Sequence, residues 1–246
     1  MNRASAIGRE AAAEGQPLDL AIARAGETVS HNLNGQRLGR KGRETRERIV
    51  RAAIEALENE NGEPFTLSAV ARGASLGMSS LYNYFTDLSE LMVAALEPVM
   101  GAASESYLAL LGDYWPDSEL NERCAQFWDS YAGFWRQHAS VLHQRNRMSD
   151  AGDELMLACR VDAGQPLVRG IAEQLGSGDM AEPGYDARAM ASVLGTMMER
   201  IITVQTQPNY RKYATASLDR GPNSLGAAGT RLLALAIRDW RTEAAS

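Results

Sequence analysis

Cysteine and histidine are scarce in this chain: two cysteines, Cys124 and Cys159, and three histidines among 246 residues. With no CxxC pair they offer neither a disulfide framework nor a zinc spacing. His138 and His143 stand five apart, which turns them off a common helical face. A reduced cytoplasmic compartment is the simplest setting for such a sequence. No apolar run approaches the roughly eighteen residues a membrane span needs, and no continuous apolar core follows the first basic residues. Neither secretion nor membrane insertion is expected. Also missing are a nucleophile elbow, a Walker A loop, an H-E-x-x-H pair and a dinucleotide glycine fingerprint behind a strand. Carboxylates are abundant but scatter along helix exteriors, where solvation accounts for them. No catalytic residue, metal or cofactor is expected, and the chain reads as a non-enzyme.

What is present is apolar content and helical periodicity. A hydrophobic fraction of 45% supports a substantial core, in one large or two smaller domains. A net charge of −6 argues against coating of polyanions in general, although a site-specific binder needs only a local basic patch. Apolar residues recur at helical spacing and no convincing strand is found, so the chain is expected to be all-α.

The most informative stretch is Thr66 to Phe85, TLSAVARGASLGMSSLYNYF. Leu67, Val70 and Ala71 share one helical face behind Thr66 as N-cap. Gly73, Ala74 and Ser75 break the period, Leu76 plugs the turn, and a second helix can open at Gly77 and run through Tyr84. Met78, Ser79, Ser80 and Asn83 suit a face entering a major groove. Leu81 and Phe85 lie on the opposite face and should pack on Val70 and Ala71. Tyr82 and Tyr84 carry hydroxyls that can reach phosphate oxygens. Taken alone, the pattern fits a helical hairpin inside an ordinary all-α domain equally well.

At these residues the sequence resembles the TetR/AcrR family of one-component transcriptional regulators. The family pattern, a T-x-x-x-I-A helix, a G-V-S turn and T-L-Y-x-x-F, is met by Thr66, Val70, Ala71, Leu76, Ser80, Leu81, Tyr82 and Phe85. The capped K-E-E-L start of the family's fourth helix is matched by Asp87, Ser89, Glu90 and Leu91. The match spans about fifty residues from Arg43 onward and is most specific in L-Y-x-x-F. Three positions depart: Ser75 stands where Gly is usual, Gly77 where a capping Ser is usual, and Leu88 where a phosphate-touching Lys is usual. Residues 1–36, rich in Ala, Gly, Glu and Asn with weak periodicity, read as a mostly flexible extension. The resemblance implies a three-helix helix-turn-helix DNA-binding domain over 37–86 and a helical ligand-binding and dimerisation domain over 87–246. It also implies a repressor in which ligand swings helix four to separate two DNA-binding heads. An all-α ligand-binding enzyme and an adaptor that has lost DNA binding through Leu88 and Met78 are the competing readings.

From Gln36 to Ala52, seven basic residues face two acidic ones, a net of +5. Arg46 and Arg51 read as the solvated face of a first helix over Glu44–Glu58. Arg37, Arg40, Lys41 and Arg43, interleaved with Gly39 and Gly42, read as a mobile arm for phosphates or the minor groove. The DNA-contacting set is therefore Arg40, Lys41, Arg43, Thr66, Met78, Ser79, Ser80, Tyr82, Asn83 and Tyr84, and the partner is a palindromic double-stranded operator.

Further on, Asp87 and Glu90 form a capping box for a long helix kinked at Pro98. Phe127, Trp128, Tyr131, Phe134 and Trp135 make an aromatic stripe that is more often core than ligand wall. A helical stretch over Asp150–Gly176 should break near Gly164 and Pro166. A small, largely apolar effector is expected against Trp128, Tyr131, Trp135, His138, Met156 and Met197. The helix after Asp186 and the last helix carry apolar faces too wide for one neighbour. Met190, Leu194, Met197, Ile201, Leu233, Ile237 and Trp240 are accordingly expected in a homodimeric four-helix bundle, close approach being allowed by small residues such as Gly229. The alternative is that both helices wrap their own domain.

Overall fold

Helix α1 starts one turn earlier than its apolar stripe requires, spanning Arg40–Glu58 behind Gly39, whose side chain can cap nothing. Leu38 folds back over that first turn and is buried. Gly42 makes this possible, since a Cβ there would lie 2.8 Å from Leu38 Cδ2. Arg40, Lys41 and Arg43 are therefore helical, not members of a mobile arm. The computed structural model describes residues 32, 33, 35, 37–59, 64–176, 185–210 and 224–244. The flexible extension expected over 1–36 falls mostly outside the described residues. At its end, however, the Leu33 amide donates to the Asn83 carbonyl at 3.1 Å, which ties the chain to the turn after the second short helix.

The remaining helices are α2 (Leu67–Gly73), α3 (Met78–Leu81), α4 (Leu88–Glu105), α5 (Leu120–Gln137), α6 (Ala139–Asp150), α7 (Glu154–Leu175), α8 (Tyr185–Gln205) and α9 (Leu225–Ala244), with a 3-10 turn at Ala109–Leu111. The fold is all-α, with no strand among the described residues. None of these helices is long and apolar enough to cross a membrane. Two compact units are formed, Met1–Ala102 with Ser140–Arg160, and Ala103–Ala139 with Val161–Ser246.

In the first unit, Ile49, Val50, Ala53 and Ile54 of α1 are buried together with Val70, Ala71, Leu81 and Phe85. That is the packing the two short helices predict. Arg46 corrects the sequence reading: it is only 8% exposed, stands over the Phe85 ring at 5.5 Å and lies 3.8 Å from Glu97. Burial pushes this guanidinium below its ordinary value and the Glu97 carboxyl above its own, so for both groups desolvation outweighs the pairing. The ring face accepts the cation while the aliphatic stem fills the core.

The break between α2 and α3 is a Schellman turn. The Leu76 amide donates to the Ala71 carbonyl at 2.8 Å and the Ser75 amide to the Arg72 carbonyl at 3.0 Å, the two bonds that motif requires. Its left-handed residue is Ser75, at φ 55°, where a side chain is strained and glycine is not. Ser75→Gly is therefore expected to raise stability by about 0.5–1 kcal/mol, read as a higher urea midpoint with unchanged slope. An unchanged or lower midpoint would mean that the strain is negligible against the entropy glycine adds to the unfolded chain.

Helix α4 opens on the forward half of the expected capping box, with the return bond shifted one residue, to Thr86 instead of the N-cap Asp87. The Glu90 amide donates to Asp87 Oδ1 at 2.8 Å, while the Glu90 carboxylate reaches back to the Thr86 amide at 2.6 Å. Ser89 donates to the Asp153 carboxylate, which also accepts from the Met156 amide at the start of α7. These donors, the Ser89 hydroxyl first, hold Asp153 below the usual carboxylate range. Helix α7 does not break at Gly164 or Pro166 but runs through both. Pro166 is exposed, so water can serve the carbonyl left without a donor.

In the second unit the aromatic stripe of α5 is core. Phe127, Trp128, Tyr131, Phe134 and Trp135 are all buried. The Tyr107 ring meets Tyr131 edge-on at 5.0 Å and Phe134 at 5.1 Å. The Trp128 indole lies against α9, where a Cβ on Gly229 would come within 2.5 Å of it. Gly229 thus serves packing inside one chain instead of close approach between two.

Candidate functional site

Helix α3 owes its start to Gly77, an extended N-cap with no side-chain bond. Its four residues continue as a tight turn, the Tyr84 and Phe85 amides both donating to the Leu81 carbonyl at 2.9 and 3.2 Å. With Leu81 and Phe85 buried, Ser79, Ser80, Tyr82 and Asn83 are left facing outward, Tyr82 at 49% exposure. Met78 and Tyr84 are half-buried at the rim of this face. Thr66 is exposed but occupied, its hydroxyl accepting from the Ala69 amide at 3.2 Å as the cap of α2. Arg48 donates to the Ala74 carbonyl at 3.0 Å, fixing the turn to α1.

Arg40 and Lys41 are exposed in the first turn of α1. Among the described residues Arg40 meets Glu44, also exposed, at 3.8 Å, a contact of little energetic value. Arg43 is partly spent on the Leu38 carbonyl at 3.3 Å. That first turn holds no acidic residue. Cations at the positive end of a helix dipole oppose local stability, and such a conflict is tolerated where an external anion resolves it.

The expected ligand residues do not line one wall. Tyr131 and Trp135 belong to the aromatic core. His138 is buried with its ring 5.0 Å from Phe134, and burial lowers its pKa, favouring the neutral imidazole. Met156 is buried in the first unit, and Met197 is half-buried on α8. Of them Trp128 alone lines a groove of the second unit, a cleft of about 910 Å³ bounded by α5, α8 and α9. Three arginines that sequence reading missed, Arg136, Arg231 and Arg238, line it too, with Asp129 as the sole carboxylate. Arg136 is about a hundred residues from the other two and on a different helix, and no local pattern marks them.

The expected dimer residues divide as well. Leu194, Leu233 and Ile237 are buried inside their own chain, because α8 and α9 pack on α5 and on each other. Ile201 and Trp240 are half-buried. The exposed apolar side chains are Met190 at 36% and Val193 at 65% on α8, with Leu232 and Leu235 at 47% on α9.

Among the described residues no group of three His, Cys, Asp or Glu side chains could hold a metal. The Cys124 thiol is buried and its pKa pushed up to about 12 by that burial, so it is not a nucleophile.

Neither a family model nor a curated protein matches the sequence. Solved structures do match. A TetR family transcription regulator from Marinobacter aquaeolei VT8 aligns with TM-score 0.52 at 14% identity, over 78% of this chain and 94% of its own. A TetR-like transcriptional regulator from Rhodococcus sp. RHA1 aligns with TM-score 0.52 at 20% identity, over 85% of this chain and 100% of its own. At these identities the likeness is one of fold, and the fold of this chain is TetR-like.

Proposed function

We propose that this chain, with its TetR-like fold, is a homodimeric transcriptional regulator that binds a palindromic operator and is released from it by a small-molecule effector, repression being the usual sense. The observation that carries the reading is the outward face of Ser79, Ser80, Tyr82 and Asn83 together with an exposed basic first turn of α1 that works against its own helix dipole. A helix with small and polar side chains can approach base edges in a major groove, while flanking cations and hydroxyls hold phosphates and set the register. The homodimer is supported by the exposed apolar residues of α8 and α9, and the effector by the groove in the second unit. The effector needs only to favour one state of the dimer over the state that fits the operator.

The test begins with the duplex that the protein recovers from its own genome. Binding is then followed by fluorescence anisotropy as salt is varied. Leu38 is buried and α1 begins at Arg40, so truncation would damage the head; charge is better removed by Arg37→Gln, Arg40→Gln and Lys41→Gln. Any of these cations that neutralises a phosphate should, once replaced, flatten the slope of log K against log salt by about 0.9. Tyr82→Phe should weaken the complex by about 0.5–1.5 kcal/mol per head if the hydroxyl meets a phosphate. An unchanged slope would make the basic turn a spectator, and failure to recover any duplex would sink the regulator reading.

A further inference from the structure

The groove of the second unit has an electrostatic character opposite to that of the whole chain. The protein carries −6, yet the walls of this cleft place Arg136, Arg231 and Arg238 against Asp129 alone. Arg238 donates to Asn121 at 3.3 Å in an exposed contact. Arg136 and Arg231 have neither a carboxylate nor a carbonyl partner among the described residues. Between them the lining alternates apolar side chains, Trp128, Ala132, Ile202, Ala234 and Leu235, with neutral polar ones, Asn121, Gln205, Thr206, Ser224 and Thr230. Helices α5 and α9 run antiparallel, since Trp128 lies against Gly226 and Gly229 while Asn121 lies at Arg238. Arg231 and Arg238, seven residues apart, are therefore separated by ~10 Å along the groove, and Arg136 stands beyond Trp128 at the end of α5.

We propose that this groove binds an elongated amphipathic organic anion, its apolar body lying along Trp128 and Leu235 and its acidic group or groups taken by Arg231, Arg238 and Arg136. Guanidinium forks match carboxylate and phosphate oxygens in two-pronged geometry, and a cleft of this size fits a drug-sized ligand. The inference rests on the effector reading above and replaces the largely apolar effector expected from sequence with a charged one.

The experiment uses the full-length protein without DNA, so its outcome is independent of operator binding. The probe is 8-anilinonaphthalene-1-sulfonate, and N-phenyl-1-naphthylamine is the neutral comparator with the same ring system. The anionic probe should bind saturably. Arg231→Gln and Arg136→Gln should together weaken it by about tenfold or more, with the neutral comparator unchanged within twofold. Both arginines lie at helix surfaces, so the variants should unfold with wild-type midpoints. Ala227→Leu, which adds volume to the groove wall, should weaken both probes. Displacement by dodecanoate or by dodecyl phosphate distinguishes a carboxylate from a phosphate head. Equal affinity for the charged and neutral probes, or anionic-probe affinity untouched by the arginine substitutions, would overturn the proposal.

Discussion

Val193→Glu combined with Leu232→Glu is expected to turn the proposed dimer into a monomer that no longer holds its operator. Among the described residues, Val193 at 65%, Leu232 and Leu235 at 47% and Met190 at 36% are the large apolar side chains of α8 and α9 left in water. A carboxylate at either position costs the lone chain little, because the site is already solvated. In an interface between two copies the same carboxylate is stripped of water with no cation supplied to meet it. Two linked heads bind two half-sites with an effective-concentration advantage that a monomer lacks, so operator affinity should fall by roughly 10²-fold or more. Sedimentation at micromolar concentration checks the assembly, and anisotropy on the recovered duplex checks the binding. A wild-type chain that sediments as a monomer would overturn the homodimer, and a monomeric variant with full affinity would detach assembly from DNA reading.

Arg241→Met should cost about 2–4 kcal/mol of stability. Buried on α9, this guanidinium donates to the Gln174 carbonyl at 2.7 and 3.1 Å and to the Trp115 carbonyl at 2.9 Å. It also meets the Asp117 carboxylate at 2.6 Å and lies 4.4 Å over the Tyr114 ring. Gln174 sits in the last turn of α7, where helix carbonyls have no partner of their own. Arg241 therefore caps α7 from a distant helix, placing a cation at its negative end. The Gln174 side chain extends the same cluster, accepting from the Trp115 amide at 3.0 Å and donating to the Asp113 carbonyl at 2.9 Å. Methionine preserves most of the volume but strands two buried carbonyls, while Asp117 can turn back to water. Arg238→Met, on the exposed side of the same helix, should change stability by less than about 0.5 kcal/mol. Urea unfolding of both variants decides the matter, and equal small losses would show that the cluster is incidental.

The sequence by itself determined what depends on neighbours within a few residues. The cap at Thr66, the break at Ser75, the buried pair Leu81 and Phe85, the box at Asp87 and Glu90 and the aromatic stripe of α5 are all set by local hydrogen bonding and helical period. Those signals carried the all-α class and the helix-turn-helix head. Tertiary structure alone decided which of several equivalent faces turns inward. Leu232 and Leu233 are adjacent and equally apolar, yet one is 47% exposed and the other fully buried, because the angle at which α9 meets α5 is set by the Trp128 indole lying over Gly229. The same packing decided the fate of the arginines. Arg46 reads as a solvated charge but is buried against Phe85, and Arg241, which nothing local marks, is buried at the end of α7. Arg136 lines one groove with Arg231 and Arg238 only because α5 packs on α9. A long charged side chain carries no periodic mark of its destination. Its partner is a carbonyl, a ring face or a ligand that sequence distance hides and only the folded chain brings within reach.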